Sequence, residues 1–232
     1  MRQSLATDPT VSRPLIILGT GGNAYDVLDI VEAINAEASS TWDVVGFLDD
    51  ARPVGGEFLG RPVLGRLAEA GRFGREWFVN AIGSDASYVK RPQIVSSTGL
   101  PADRFATLVH PAAGVSSRAR VGRGVCVNFG GSVAGGVTVG DQVSIGPGCI
   151  VGHDSVVGEY SMLAPGAVVS GFVRIGRACY VGAGAMIRQR LSVGDGALVG
   201  MGSVVLRDVE SDSTVVGNPA RVLRRAQGKG VS

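Results

Sequence analysis

Histidine is scarce in this 232-residue chain: there are two, His110 and His153. A zinc site of the three-imidazole kind asks for more, so metal-assisted hydrolysis has no ligand set to draw on. The three cysteines, Cys126, Cys149 and Cys179, contain no pair at zinc spacing and point to thiols kept reduced. Aromatics make up 6% of the residues, and the net charge is +2 with its basic residues scattered, which gives nucleic acid no electrostatic footprint. No apolar run approaches the ~20 residues of a membrane span, and the first residues (MRQSLATDPTVSRP) lack the apolar core of a signal peptide. A cytoplasmic location without membrane or nucleic-acid partners is the expectation. There is neither a G-x-S-x-G elbow for a serine nucleophile nor a phosphate loop ending in Gly-Lys-Ser/Thr.

What the chain does have is a period. From Val109 to Val205 every sixth residue is Val, Ile or Leu, seventeen in unbroken phase. A helix repeats near 3.6 residues and an alternating strand at 2.0, so neither makes this spacing. A hexad repeat marks a parallel β-helix, each short strand stacking on its equivalents in neighbouring coils. The residue four places after each aliphatic is often small (Cys149, Ser155, Ala167, Cys179, Ala185), so Cys149 and Cys179 are expected to face inward. Cys126 falls one place off that position and is expected to be partly exposed. Three hexads then make one triangular coil of eighteen residues. The Gly that follows many of the aliphatics (Gly122, Gly140, Gly146, Gly152, Gly158) is expected to supply backbone freedom at the corners.

Before Val109 the six-fold phase is absent. Leu15-Ile16-Ile17-Leu18 runs into Gly19-Thr20-Gly21-Gly22, then a helical pattern from Tyr25 to Ile34. Val44 to Leu48, Pro62 to Gly65 and Phe78 to Ser84 read as further strands, with helices over Leu67 to Ala70 and Ala86 to Ser97. Strands alternating with helices imply a small parallel α/β sheet. The glycine loop lies at the carboxyl end of the first strand, where open sheets bind ligands and a helix N-terminus favours phosphate. The full G-x-G-x-x-G fingerprint is broken by Ala24, and a structural turn or a nicotinamide site remain alternatives to a nucleotide-sugar site.

His153 sits one place past a hexad glycine in Gly152-His153-Asp154, so its side chain is expected to point outward from the solenoid wall. Eighteen residues to either side lie Gly135 and Gly171, which leave open space around the ring. Asp154 could hold one imidazole tautomer and raise its basicity, the arrangement of a general base. His110, before Pro111, is read as part of the junction turn.

Several motifs occur in one order: Gly19-Thr20-Gly21-Gly22, Gly46-Phe47-Leu48-Asp49-Asp50, His110-Pro111, Gly152-His153-Asp154-Ser155, Ala164-Pro165-Gly166-Ala167, Val181-Gly182-Ala183-Gly184-Ala185 and Val216-Gly217-Asn218-Pro219-Ala220. Together they resemble the NeuD/PglD-like sugar acetyltransferases of bacteria. The resemblance implies an α/β Rossmann-like N-terminal domain over 14–108, followed by a left-handed parallel β-helix over 109–225, with a disordered tail at 1–13 and a C-terminal tail at 226–232. It implies a homotrimer with active sites between subunits, acetyl-CoA as co-substrate, no metal, and a nucleotide-linked amino sugar as acceptor. His153 would be the general base, Asp154 its orienting partner, and a backbone N–H near Gly171 an oxyanion donor. Acetyl-CoA would pass Met162, Gly171, Ala183 and Met201, and the sugar nucleotide would contact Gly21, Gly22, Asn23, Asp49 and Asp50. The chain departs from the family's usual Gly-Gly-His-Gly loop with Gly22-Asn23-Ala24-Tyr25, and carries Met162 where many relatives have a polar residue.

The activity expected is N-acetylation of a UDP- or GDP-linked 4-amino sugar. O-acetylation of a sialic acid or other sugar is the nearest rival, because His153-Asp154 suits either proton transfer. A non-catalytic nucleotide-sugar-binding trimer is the rival from another class; a His-Asp pair is more than such a binder requires.

Overall fold

The computed structural model describes residues 12–37 and 41–224. The expected tails lie outside these residues except for Ser12 and Arg13, and Arg13 already opens the first strand.

The N-terminal part is a five-stranded sheet in the order β3-β4-β2-β1-β5, built from β1 (Arg13–Leu18), β2 (Trp42–Leu48), β3 (Glu57–Phe58), β4 (Arg61–Gly65) and β5 (Trp77–Asn80). All its pairings are parallel except the β3–β4 edge. β1 lies between β2 and β5, and its Leu15, Ile16, Ile17 and Leu18 are fully buried because both faces are covered. Helix α1 (Asn23–Glu37) buries Ala24, Val27, Leu28, Ile30 and Val31, the helical stripe expected of a surface helix. The helix expected over Ala86 to Ser97 is shorter: a 3₁₀ turn (Tyr88–Lys90) precedes α2 (Arg91–Ser97), with Pro92 in the first turn where its missing N–H costs nothing.

From Leu108 onward two-residue strands stack in three parallel sheets, each residue pairing with the one eighteen later (Ser132 with Ile150, Ile150 with Val168). The first face starts at Leu108–Val109, the second at Gly114–Val115 and the third at Arg120–Val121. The hexad aliphatics fill the prism together with the small residue four places on, and Cys149, Ser155, Ala167, Cys179 and Ala185 are fully buried. Ser155 satisfies its buried hydroxyl by donating to the Ser170 carbonyl and accepting from Val173 N–H. Thr214–Val216 and the antiparallel Arg221–Arg224 end the first face. Among the described residues no helix is long and apolar enough to cross a membrane.

Two expectations are corrected. Cys126 is buried, not partly exposed, because the first face is roofed by the N-terminal domain and Cys126 joins that domain's apolar cluster. Burial pushes its thiol up to about 12. The glycines that follow the aliphatics are not the flexible corner positions. A Cβ on Gly140 would lie 2.7 Å from the Glu159 nitrogen, and one on Gly152 would lie 2.6 Å from the Gly171 nitrogen, so these glycines let the next coil's backbone approach. The left-handed residue falls two places later, filled by Gly124, Gly148 or Gly166 in some coils and by Gln142, Asp154, Tyr160 or Phe172 in others.

The seam between the domains is polar at its centre. Arg91, 1% exposed, donates to the carbonyls of Ile82 (2.5 Å), Gln142 (2.6 Å) and Tyr160 (3.0 Å), with no carboxylate partner among the described residues. Burial pulls its guanidinium down to about 10. Tyr88 donates its hydroxyl to the Gly196 carbonyl and packs against Tyr180. Gly83 fits between Arg91 and Met162, where any Cβ would collide with both.

Candidate active site

The carboxyl ends of β1, β2 and β5 open onto a cavity of about 610 Å³. Gly19, Thr20, Gly21, Gly22 and Asn23 form one wall, Asp49, Asp50 and Ala51 a second, and Ala81 to Ser84 a third. Gly21 and Gly22 have open space where a Cβ would stand, so the backbone is accessible to a ligand. Asp49, nearly buried, holds the rim together: its Oδ2 accepts from the Thr20 N–H and hydroxyl, and its Oδ1 from Ala51 and Arg52 N–H. Burial alone would raise its carboxyl, but these hydrogen bonds prevail and hold it below the ordinary range. Asp50 accepts from Leu67 N–H and lines the cavity. Asn23 donates to the Gly83 carbonyl and bridges two walls.

Asn23, Gly83 and Ser84 also line a second, smaller cavity of about 170 Å³. It descends along the solenoid past Asp26, Asn128, Ser144, Met162 and Tyr180 to the corner between the first and second faces, at Gly146, Pro147, Ala164 and Pro165. Met162, 7% exposed, faces this cleft and Gly83. The sequence did not flag Asp26, Gly83 or Arg91, because only the docking of two domains gives them a role.

His153 stands at the next corner, between the second and third faces, and lines neither cavity. Its Nδ1 is 2.9 Å from Asp154 Oδ2, with both side chains more than half exposed. Asp154 takes the left-handed conformation (φ 59°), which a short polar side chain tolerates. A Cβ on Gly171 would lie 2.8 Å from His153 Nε2, so glycine there gives the ring its place. Phe172 packs edge-on against the imidazole (centroids 5.0 Å apart), and Arg190 covers Phe172. His110 accepts from Ala112 N–H within the junction turn and packs on Phe129. Of the residues expected along acetyl-CoA, Gly171 shares the His153 corner, whereas Ala183 and Met201 stack at the corner between the first and second faces. Met201 is 79% exposed there, and Gly184 and Gly202 beside it have open space where a Cβ would stand. Among the described residues no group of three or more His, Cys, Asp or Glu could hold a metal.

A glycine-loop α/β domain docked on a hexad solenoid with an exposed His-Asp pair is the plan of a coenzyme-A-dependent acyltransferase, and comparison with known proteins agrees. Residues 14–95 match the PglD N-terminal domain family and residues 136–171 the bacterial transferase hexapeptide (six repeats) family. The acetyltransferase domain of PglB from Neisseria gonorrhoeae is 30% identical over 91% of this chain and all of that one, with a TM-score of 0.78; its structure is also known in complex with acetyl coenzyme A. PerB from Caulobacter crescentus, in complex with CoA and GDP-perosamine, is 28% identical over 90% of this chain and 96% of that one (TM-score 0.77). WeeI from Acinetobacter baumannii is 27% identical over 91% of this chain and all of that one (TM-score 0.69). No curated protein sequence matches. The chain belongs to the NeuD/PglD-like sugar acetyltransferases of bacteria. Its solenoid is accordingly a left-handed β-helix.

Proposed function

We propose that the protein transfers the acetyl group of acetyl-CoA to the amino group of a nucleotide-linked 4-amino sugar, with His153 as general base. The observation that carries this reading is the 2.9 Å His153–Asp154 contact at an open coil corner. If Nδ1–H donates to the carboxylate, Nε2, beside Gly171, keeps a lone pair that can accept a proton. The amine attacks the thioester carbonyl carbon, Nε2 takes the proton that the amine sheds, and the tetrahedral intermediate collapses with loss of the CoA thiolate. The Gly171 N–H has no partner among the described residues and is free to donate to the oxyanion. Gly21, Gly22 and Asn23 receive the nucleotide's phosphates, Asp50 its outer end, and Asp49 shapes the rim.

The same layout supports a homotrimer. The second face carries exposed Ile150 and Met186, with Val168 between them and Val204 beyond Met186, an apolar strip without a cover among the described residues. With this face toward a three-fold axis, the His153 corner of each prism lies beside the Ala183–Met201 corner of the next. That arrangement brings His153 and Gly171 of one copy to the acetyl-CoA groove and sugar cleft of another.

The test is CoA thiol release from acetyl-CoA with a panel of UDP- and GDP-linked 4-amino sugars and free sialic acid. Turnover of one amino sugar is the expected result. Turnover of sialic acid alone would move the assignment to O-acetylation, and silence on every acceptor would contradict the transferase assignment.

A further inference from the structure

From the smaller cavity we infer that Asp26 is the side chain that recognises the acceptor amine, and so a specificity residue of this enzyme. The inference rests on the N-acetyltransferase reading and deepens it. Asp26 follows Asn23 by three residues on α1, so both side chains lie on the face turned to the solenoid. Both line the cleft with Asn128 and Ser144, below the nucleotide cavity and on the way to the corner where the acetyl group is expected. Asp26 is half-buried, yet its carboxylate accepts no hydrogen bond from any described residue. A carboxylate withdrawn from water and left without a donor is costly, and a ligand cation removes that cost.

The chemistry of the acceptor fits. An aliphatic amine is an ammonium at neutral pH, with three donors and one positive charge. A sugar hydroxyl brings one donor and no charge, so a carboxylate in this position favours the 4-amino sugar over its 4-hydroxy counterpart. Burial and the neighbouring Asp29 push the Asp26 carboxyl above its ordinary range, the response of a site short of positive charge. The glycine loop and Asn23 hold the nucleotide above. The bound ammonium gives one proton to solvent to become the attacking amine, and the neighbouring copy's His153 takes the second as the amine adds to the thioester, so Asp26 selects and orients without being the base.

The experiment compares wild type, Asp26→Asn and Asp26→Glu with GDP-perosamine, a UDP-linked 4-amino sugar and the matching 4-hydroxy sugars. Asp26→Asn should raise KM for the accepted amino sugar about 10- to 100-fold, the scale of one charge-assisted hydrogen bond. It should leave the Kd of the free nucleoside diphosphate and of the 4-hydroxy sugar unchanged, and Asp26→Glu should recover part of the loss. Unchanged nucleoside diphosphate binding and melting temperature show that the variants are folded. Equal losses for amino and hydroxy sugars, or no loss, would overturn the inference while leaving the transferase assignment intact. Wild-type protein that acetylates no amine would overturn both, and is seen before any variant is made.

Discussion

Replacing His153 by Ala should lower kcat on the accepted sugar by about 10²- to 10⁴-fold, the range for loss of a positioned general base. KM for the nucleotide sugar should change little, because His153 lines neither cavity proposed to receive it. Asp154→Asn should give a smaller loss, since the amide can still contact Nδ1 while no longer favouring a charged imidazole. Steady-state kinetics with both substrates varied separate these effects. A fall in kcat confined to His153→Ala and Asp154→Asn, with stability intact, is expected because both side chains project from the solenoid and are absent from its core.

The second large effect is on stability. Gly140→Ala should destabilise the solenoid by about 3 kcal/mol, because the new Cβ meets backbone that cannot rotate away. The atoms it meets are the Glu159 nitrogen at 2.7 Å and its Cα at 3.1 Å. That cost corresponds to a drop of roughly 6–12 °C in Tm for a chain of this size. Gly148→Asn is the control: Gly148 has φ 65° with nothing nearby, and Asn tolerates that conformation, so about 1 kcal/mol or less is expected. Thermal melts followed by circular dichroism decide. Similar losses for the two variants would mean that coil spacing is not what Gly140 protects.

The two kinds of glycine show where sequence reading stops. The aliphatic hexad is visible because burial demands Val, Ile or Leu at every sixth place, and the inward Cys149 and Cys179 are visible for the same reason. The left-handed corner two places after the steric glycine is hidden, because Gln142, Asp154, Tyr160 and Phe172 occupy it as well as glycine. Backbone conformation there is imposed by the stacked coils and leaves no single residue type behind. The outward aim of His153 and its glycine neighbour Gly171 were legible from the eighteen-residue spacing alone. The seam was not: Arg91 donating to three carbonyls, Cys126 under the N-terminal domain and Asp26 in the cleft depend on contacts between distant segments that no local pattern encodes. Nor could the sequence separate the predicted acetyl-CoA residues by corner. Gly171 and His153 stand on one edge of the prism, Ala183 and Met201 on another, and Met162 in the cleft.

That separation makes the sharing of each active site between copies the claim on which the rest depends. It is tested by co-expressing two inactive chains, His153→Ala and Gly22→Trp, and assaying the purified mixed assemblies. Gly22→Trp places an indole in the nucleotide cavity from a position with open space, so it blocks that cavity without straining the fold. With shared sites, a mixed assembly pairs the intact cavity of one chain with the intact histidine of its neighbour, and turnover returns. Mixed assemblies confirmed by mass spectrometry that remain as inactive as either parent would show that cavity and histidine must belong to the same chain.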